Sequence, residues 1–359
     1  MRKPHLLLAA AGSLIVASLA VVSLIGQTPG SASKSKSAGT TKTGSAMPRT
    51  AWGDPDLQGT WFVIYDTPLE RSAANANKPF LTDAEVAAAN ERKEENPGRN
   101  ERSTGAQDVS GAYNAVFNSV LKTGKRTSLI IDPTDGKIPP LVAGARPQGR
   151  GAFPGGGRGA GGGRGAGLGL GVGGTQNDNP ETVAQSPRCL GVPMPFLPLN
   201  TMFAQGTVMQ IVQAPKSMGI YMEDDHAGGG NRVILMDGRP HAPAEAKFYL
   251  GDSRGHWEGN TLVIETTNYS SGFRGSNIAT YKTIERLTRV DATHLNREIT
   301  FIDPKTWTKP WTVLIEMAKD ADNSKHMIFD SACHEGNYGL TGILVGTRRQ
   351  EAAAAAGKK

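Results

Sequence analysis

The sequence predicts a mainly β fold, an antiparallel β-barrel or sandwich, with one or two helices ahead of it. Three observations carry that expectation. From Thr207 onward, short β-branched and aromatic runs follow one another at regular spacing. Turn signals close them, among them Gly228-Gly229-Gly230, Asp237-Gly238, Glu258-Gly259-Asn260 and Asp303-Pro304. Inside the runs the residues alternate. Leu262, Ile264 and Thr266 share one face of a strand, while Thr261, Val263, Glu265 and Thr267 share the other, which can line a polar lumen or meet water.

The elements are justified in chain order. Arg2 and Lys3 precede an almost wholly apolar run, Leu6 to Ile25, and a small-residue stretch, QTPGSAS. That pattern predicts a signal peptide over 1–26, or an N-terminal membrane anchor, since a run of roughly 20 residues also suffices to span a bilayer. Either way the body is expected outside the cytoplasm, periplasmic or secreted, touching a membrane only through that segment if it stays uncleaved. Residues 27–49, rich in Ser, Thr, Gly and Lys, read as a flexible linker. A single β-rich domain is expected over 50–350, followed by a tail, 351–359.

The body opens with a turn, Asp54-Pro55-Asp56, leading into the strand-like Trp61-Phe62-Val63-Ile64-Tyr65. Thr82 and Glu85 form a capping box, with Leu81 and Val86 at the staple positions, so a helix begins there and stops at Asn96-Pro97-Gly98. A second helix is expected over Tyr113–Leu121, where Tyr113, Val116, Phe117, Val120 and Leu121 fall on one face. Arg126–Pro140 reads as a short strand, a turn and a Pro-limited exit. Residues 143–175, mostly Gly, Ala and Arg, hold nothing that builds a core and read as a disordered low-complexity insertion. Strands are then expected at Val208–Gln213, Met218–Glu223, Arg232–Met236, Thr261–Thr267, Thr280–Arg289, His294–Phe301, Trp311–Met317 and His326–Ser331.

The formal charge of +6 conceals an acidic body. Residues 1–49, 142–175 and 348–359 hold 14 of the 39 Lys and Arg but only one of the 33 acids, which leaves the rest with 25 bases, 32 acids and a net charge of −7. Nucleic acid is disfavoured as a partner, because phosphate binding needs a sustained basic surface. The two cysteines, Cys189 and Cys333, are expected to pair outside the cytoplasm. The competing reading is a reactive or metal-binding thiolate at Cys333, beside His334 and Glu335.

At this point the residues resemble an uncharacterised family of exported bacterial proteins. The resemblance rests on RTSLIIDPTDGKIPP, SPRCLG, QIVQAP, VILMDGRPH, LGDSRGHWEGNTLVIETTN, TIERLTR, IDPKTWTKPWTV and ACHEGNYG, in that order from about Trp52 to Arg348. It brings no established activity with it. It does imply matching roles for Glu223, His226 and Arg232, and the chain departs from the family pattern at His256 (generally arginine) and Asn260 (generally aspartate). Gly59-Thr60-Trp61 is also similar to the G-x-W element at the first strand of lipocalin-like barrels, which tilts the expectation from sandwich to barrel.

Candidate chemistry follows from residue type. His226, His241, His334 and Glu335 are candidates for acid–base catalysis, and with Glu223 and Cys333 for binding a divalent metal, although no HExxH or HxH spacing supports it. Arg239 and Arg254 either clamp an anionic ligand or pair with Asp237 and Asp252. Trp257 either stacks on a ligand or plugs the barrel end. Asn337 and Tyr338 are hydrogen-bonding candidates. Glu285 and Arg286, as strand neighbours, point to opposite faces, and one of them is expected to be buried and paired. Three functions stay open: small-molecule binding at a polar barrel mouth; a hydrolase, lyase or isomerase using His/Glu or metal-assisted chemistry; and an envelope interaction protein whose charged motifs only lock turns. Binding is favoured.

Overall fold

A computed structural model describes residues 47–95, 121–145, 179–183, 188–189, 197, 208–222, 230–270, 272–273, 276–319 and 334–357. The strands are β1 (Gly59–Val63), β2 (Ile130–Asp132), β3 (Val208–Ala214), β4 (Ser217–Met222), β5 (Gly230–Leu235), β6 (Asp252–Glu258), β7 (Thr261–Thr267), β8 (Lys282–Arg289), β9 (His294–Ile302) and β10 (Trp311–Lys319). Two helices are described, α1 (Asp83–Glu95) and α2 (Gly339–Ala356).

The sheet closes on itself. Order runs β1-β3-β4-β5-β6-β7-β8-β9-β10, and β1 pairs back onto β10. The fold is therefore a nine-stranded barrel, and the sandwich alternative is set aside. β10 shares its remaining edge between strands: Met317–Lys319 pair with β1, and Thr312 and Val313 pair with β2. Closure removes the exposed sheet edges that invite aggregation.

Side-chain alternation is what makes these segments barrel staves. Along β8, β9 and β10 every second residue is buried, so Thr283, Glu285 and Leu287, then Leu295, Arg297, Ile299 and Phe301, then Trp311, Val313, Ile315 and Met317 face inward. In β7 the inward set is Leu262, Ile264 and Thr266, each fully buried, which puts Glu265 on the outer side. Trp61 of the Gly59-Thr60-Trp61 element is fully buried, donates Nε1–H to Leu57 O at 2.8 Å, and lies under the Arg289 guanidinium at 5.5 Å.

One pairing breaks the antiparallel rule. β5 and β6 are parallel, Ile234 beside Ser253 and Leu235 beside Arg254, so residues 236–251 form a crossover rather than a hairpin. Asn268, in the left-handed region at φ 56°, staples that crossover by donating Nδ2–H to Ala242 O, Pro243 O and Ala246 O. Strand β6 was not among the expected strands. Its inward residues are Ser253, Gly255 and Trp257, too little apolar surface to show hydrophobic alternation.

The Thr82–Glu85 capping box forms as expected: Glu85 N–H donates to Thr82 Oγ1, and Thr82 N–H to the Glu85 carboxylate. Helix α2 begins well before the expected tail and buries none of its side chains. The expected helix over 113–121, the strand at 326–331 and nearly all of the 143–175 insertion lie outside the described residues, as does the N-terminal segment. Among the described residues no helix is long and apolar enough to cross a membrane.

Candidate functional site

Two polar clusters emerge, one on the outside of the barrel and one within it. The outer cluster gathers around the crossover. Arg239 donates Nε–H to both oxygens of Asp237, at 3.1 and 2.8 Å, within one exposed turn. Asp252 is the hub. It accepts Ala242 N–H at 2.9 Å, faces His241 Nδ1 at 3.0 Å and takes Arg254 Nη1 at 2.5 Å, while Arg254 also reaches the Pro240 carbonyl. Although partial burial pushes the Asp252 carboxyl up, these hydrogen bonds outweigh it and hold the group below its ordinary range.

The second nitrogen of His241, Nε2, lies 3.3 Å from Glu265, which also pairs with Lys282. Asp252 thus holds the Nδ1 side of the ring, and Glu265 lies within ion-pair distance of Nε2. Arg239 and Arg254 likewise sit in ion pairs. His256 and Arg286 pair with Glu258 on the outer face, and Trp257 is partly buried against the core. The geometry of this cluster fixes a crossover loop.

The CHEGNY segment stands apart from it. His334 and Glu335 are exposed, and Tyr338 is 83% exposed. Among the described residues no hydrogen bond or ion pair joins them to the Asp237–His241 turn. Asn337 donates Nδ2–H to the sulfur of Cys189 at 3.1 Å, which places the residues after Cys333 next to the buried Cys189. Glu223, His226 and Cys333 lie outside the described residues. Among the described residues no group of three or more His, Cys, Asp or Glu is placed to hold a metal ion. A cleft of about 330 Å³ lies on the barrel wall at Tyr65, Val290, His294, Asn296 and Glu316, and none of the candidates lines it.

The inner cluster is only partly legible in the sequence. Glu285 is fully buried and flanked by two guanidiniums. Arg297 donates Nε–H and Nη2–H to Glu285 Oε2 at 2.9 and 2.7 Å. Arg232 donates Nη1–H to Glu285 Oε1 and, at 3.3 Å, to Thr266 Oγ1. Their side chains are 1% and 2% exposed. Arg232 on β5 reaches Thr266 on β7 and Glu285 on β8 past the small Ser253 of β6, which stands beside Ile234 and Thr266. Burial by itself pushes the Glu285 carboxyl up, but the two arginine charges prevail and hold it down at about 2. It is therefore an anion at any physiological pH.

Around the triad lies a ring of hydroxyls. Ser253 Oγ and Thr266 Oγ1 are 2.9 Å apart, and Tyr269 Oη and Thr283 Oγ1 are 2.7 Å apart. Burial pushes the Tyr269 phenol up to about 12, so it stays neutral. The neighbouring staves β3, β4 and β10 are apolar inside and rich in methionine: Met209, Met218, Met222 and Met317 are all buried. The interior is thus amphipathic. Arg297 was legible in principle, since Leu295, Ile299 and Phe301 put it on the inward face by period two.

Comparison with protein-family models finds no match, and comparison with curated proteins finds none at a significant level. Two solved structures, both single-substitution mutants of the fluorescent protein UnaG, are similar over part of the chain. One mutant is 11% identical over 32% of this chain and 70% of its own, with a TM-score of 0.20. The other is 10% identical over 41% of this chain and 88% of its own, also with a TM-score of 0.20. Scores that low carry no weight for function, and the barrel rests on the strand pairing described above.

Proposed function

We propose that this chain is an exported binding protein whose barrel takes up a small amphipathic molecule inside its closed wall. The observation that carries the reading is the amphipathic interior. A barrel filled only for stability is best filled with well-packed apolar side chains, and replacing a buried ion triad by such residues is often neutral or stabilising by about 1–4 kcal/mol. Here the interior instead combines two arginines, a glutamate, and serine, threonine and tyrosine hydroxyls with buried methionines on neighbouring staves. Methionine is unbranched and repacks around guests more readily than other core residues. Export is supported by Arg2, Lys3 and the Leu6–Ile25 run.

The site differs from the mouth expected from sequence, since His241, Arg239 and Arg254 spend their polar atoms on the crossover. The test is a titration of the mature chain with N-phenyl-1-naphthylamine, a neutral apolar fluorophore, followed by its emission. Saturable uptake of about one equivalent, lost in Met222→Trp, which fills the interior, supports the reading. No saturable uptake, or uptake indifferent to Met222→Trp, overturns it.

A further inference from the structure

Among the described residues, the barrel interior leaves buried donors without acceptors: Arg232 Nε, Arg232 Nη2 and Trp311 Nε1. Tyr281 Oη also makes no hydrogen bond of good geometry, although the Phe273 backbone lies close enough to affect its acidity. Nε, Nη2 and Nε1 can only donate. Leaving a buried donor unpaired is costly, more so when it is charged. Arg232 leaves two of its three nitrogens in that condition while 2% exposed.

Charge points the same way. Among the described residues, two guanidiniums, those of Arg232 and Arg297, face the one Glu285 carboxylate, so these three groups carry a net +1. Asp303, the other buried carboxylate among the described residues, does not compensate. It accepts from Asn277 N–H, Thr280 Oγ1–H and Lys305 N–H and forms no ion pair with either arginine among the described residues. Trp311 belongs to the same layer. It stands in one cross-strand row with Phe301, Thr283 and Thr266, and Thr266 is the hydroxyl that Arg232 bonds.

We infer that the barrel interior binds the carboxylate of an anionic small molecule at the free Nε and Nη2 edge of Arg232. This rests on the binding reading above and adds the ligand's chemical class. Nε and one Nη of a guanidinium form the fork that matches a carboxylate bidentately. A monoanion there brings the layer to neutrality and supplies the missing acceptors. The donor atoms are out of reach of solvent, so the ligand's apolar body takes space yielded by methionines. Across β4, Ile220 stands opposite Arg232, with Met218 and Met222 on either side of it.

The test uses two pairs of matched probes, 2-naphthoate with 2-naphthamide and decanoate with decanamide, titrated into the mature chain by calorimetry. Each pair differs in charge and little in shape. The expected result is that at least one carboxylate binds about tenfold or more tighter than its amide. Arg232→Lys, which keeps the charge and loses the fork, should weaken the carboxylate about tenfold and leave the amide unchanged. If that variant does not fold, Trp311→Phe, which removes only one donor of the same layer, and the wild-type preference decide. Equal affinity within both pairs, or equal weakening of both probes by Arg232→Lys, overturns the inference while leaving the binding reading intact. Absence of binding by all four probes and by the neutral fluorophore overturns both.

Discussion

Replacing Glu285 by Gln isolates the electrostatics of the barrel interior. The amide fits the same space, so packing is nearly unchanged. Charge is not: two guanidiniums, 2% and 1% exposed, lose their only buried counter-ion among the described residues. The layer goes from +1 to +2. The new amide also adds donors to an interior already short of acceptors. Removing one member of a buried ion pair typically costs about 3–5 kcal/mol. For a domain of this size that corresponds to a fall in Tm of about 6–20 °C. Urea denaturation followed by tryptophan emission reads it directly, because Trp61 and Trp311 are fully buried. A loss below about 1 kcal/mol would mean that the triad is solvated, and the reasoning built on its burial fails. The triple variant Arg232→Met, Glu285→Leu, Arg297→Met is the companion. It should retain or exceed wild-type stability while losing any preference for carboxylate probes.

Three further outcomes follow from the same interior and its supports. The Glu285 carboxyl falls from its ordinary 4.5 to about 2 on folding, so it contributes stability above pH 4.5 that is lost as pH falls toward 2. The size is about 3 kcal/mol, and acid denaturation of Glu285→Gln should lack that component. Gly255→Ala should destabilise by about 1–3 kcal/mol in urea melts, because the added carbon would meet Met236 Sδ and lie 2.7 Å from Ile234 Cγ2. Cys189 lies beside Asn337, and among the described residues no cysteine is free. A Cys189–Cys333 disulfide then predicts an intact mass about 2 Da below the reduced form and about 4–5 kcal/mol of stability lost on reduction. Two alkylatable thiols in unreduced protein would refute it.

Much of the barrel was legible because most staves alternate strictly. The bounds expected for Thr261–Thr267 match β7 to the residue, and those for β8, β9 and β10 agree to within two residues at each end. What escaped was β6, for a physical reason. A stave whose inward residues are Ser253, Gly255 and Trp257 has too short an apolar stripe to show alternation. The site was less legible than the fold. Dense polar motifs such as Asp237-Gly238-Arg239-Pro240-His241 draw attention, but Arg239 pairs with Asp237 and His241 bonds Asp252. The buried charges sit singly in otherwise apolar strands, where sequence gives only a face. Glu285 was one of two residues of which one was expected to be buried and paired, and period two assigns Arg297 inward, but that the two meet Arg232 is set by barrel closure and register. The parallel β5–β6 step, which brings Arg232 to that layer, had no sequence signal.

The most direct measurement is the ¹⁵N side-chain resonance of Arg232 Nε, assigned by its absence in Arg232→Lys. A sealed donor awaiting an anion predicts an Nε–H that exchanges slowly with water in the free protein and shifts downfield as 2-naphthoate or decanoate is added, with no such shift for the matching amides. A rapidly exchanging Nε–H, or one that neither carboxylate moves, would contradict an interior anion site.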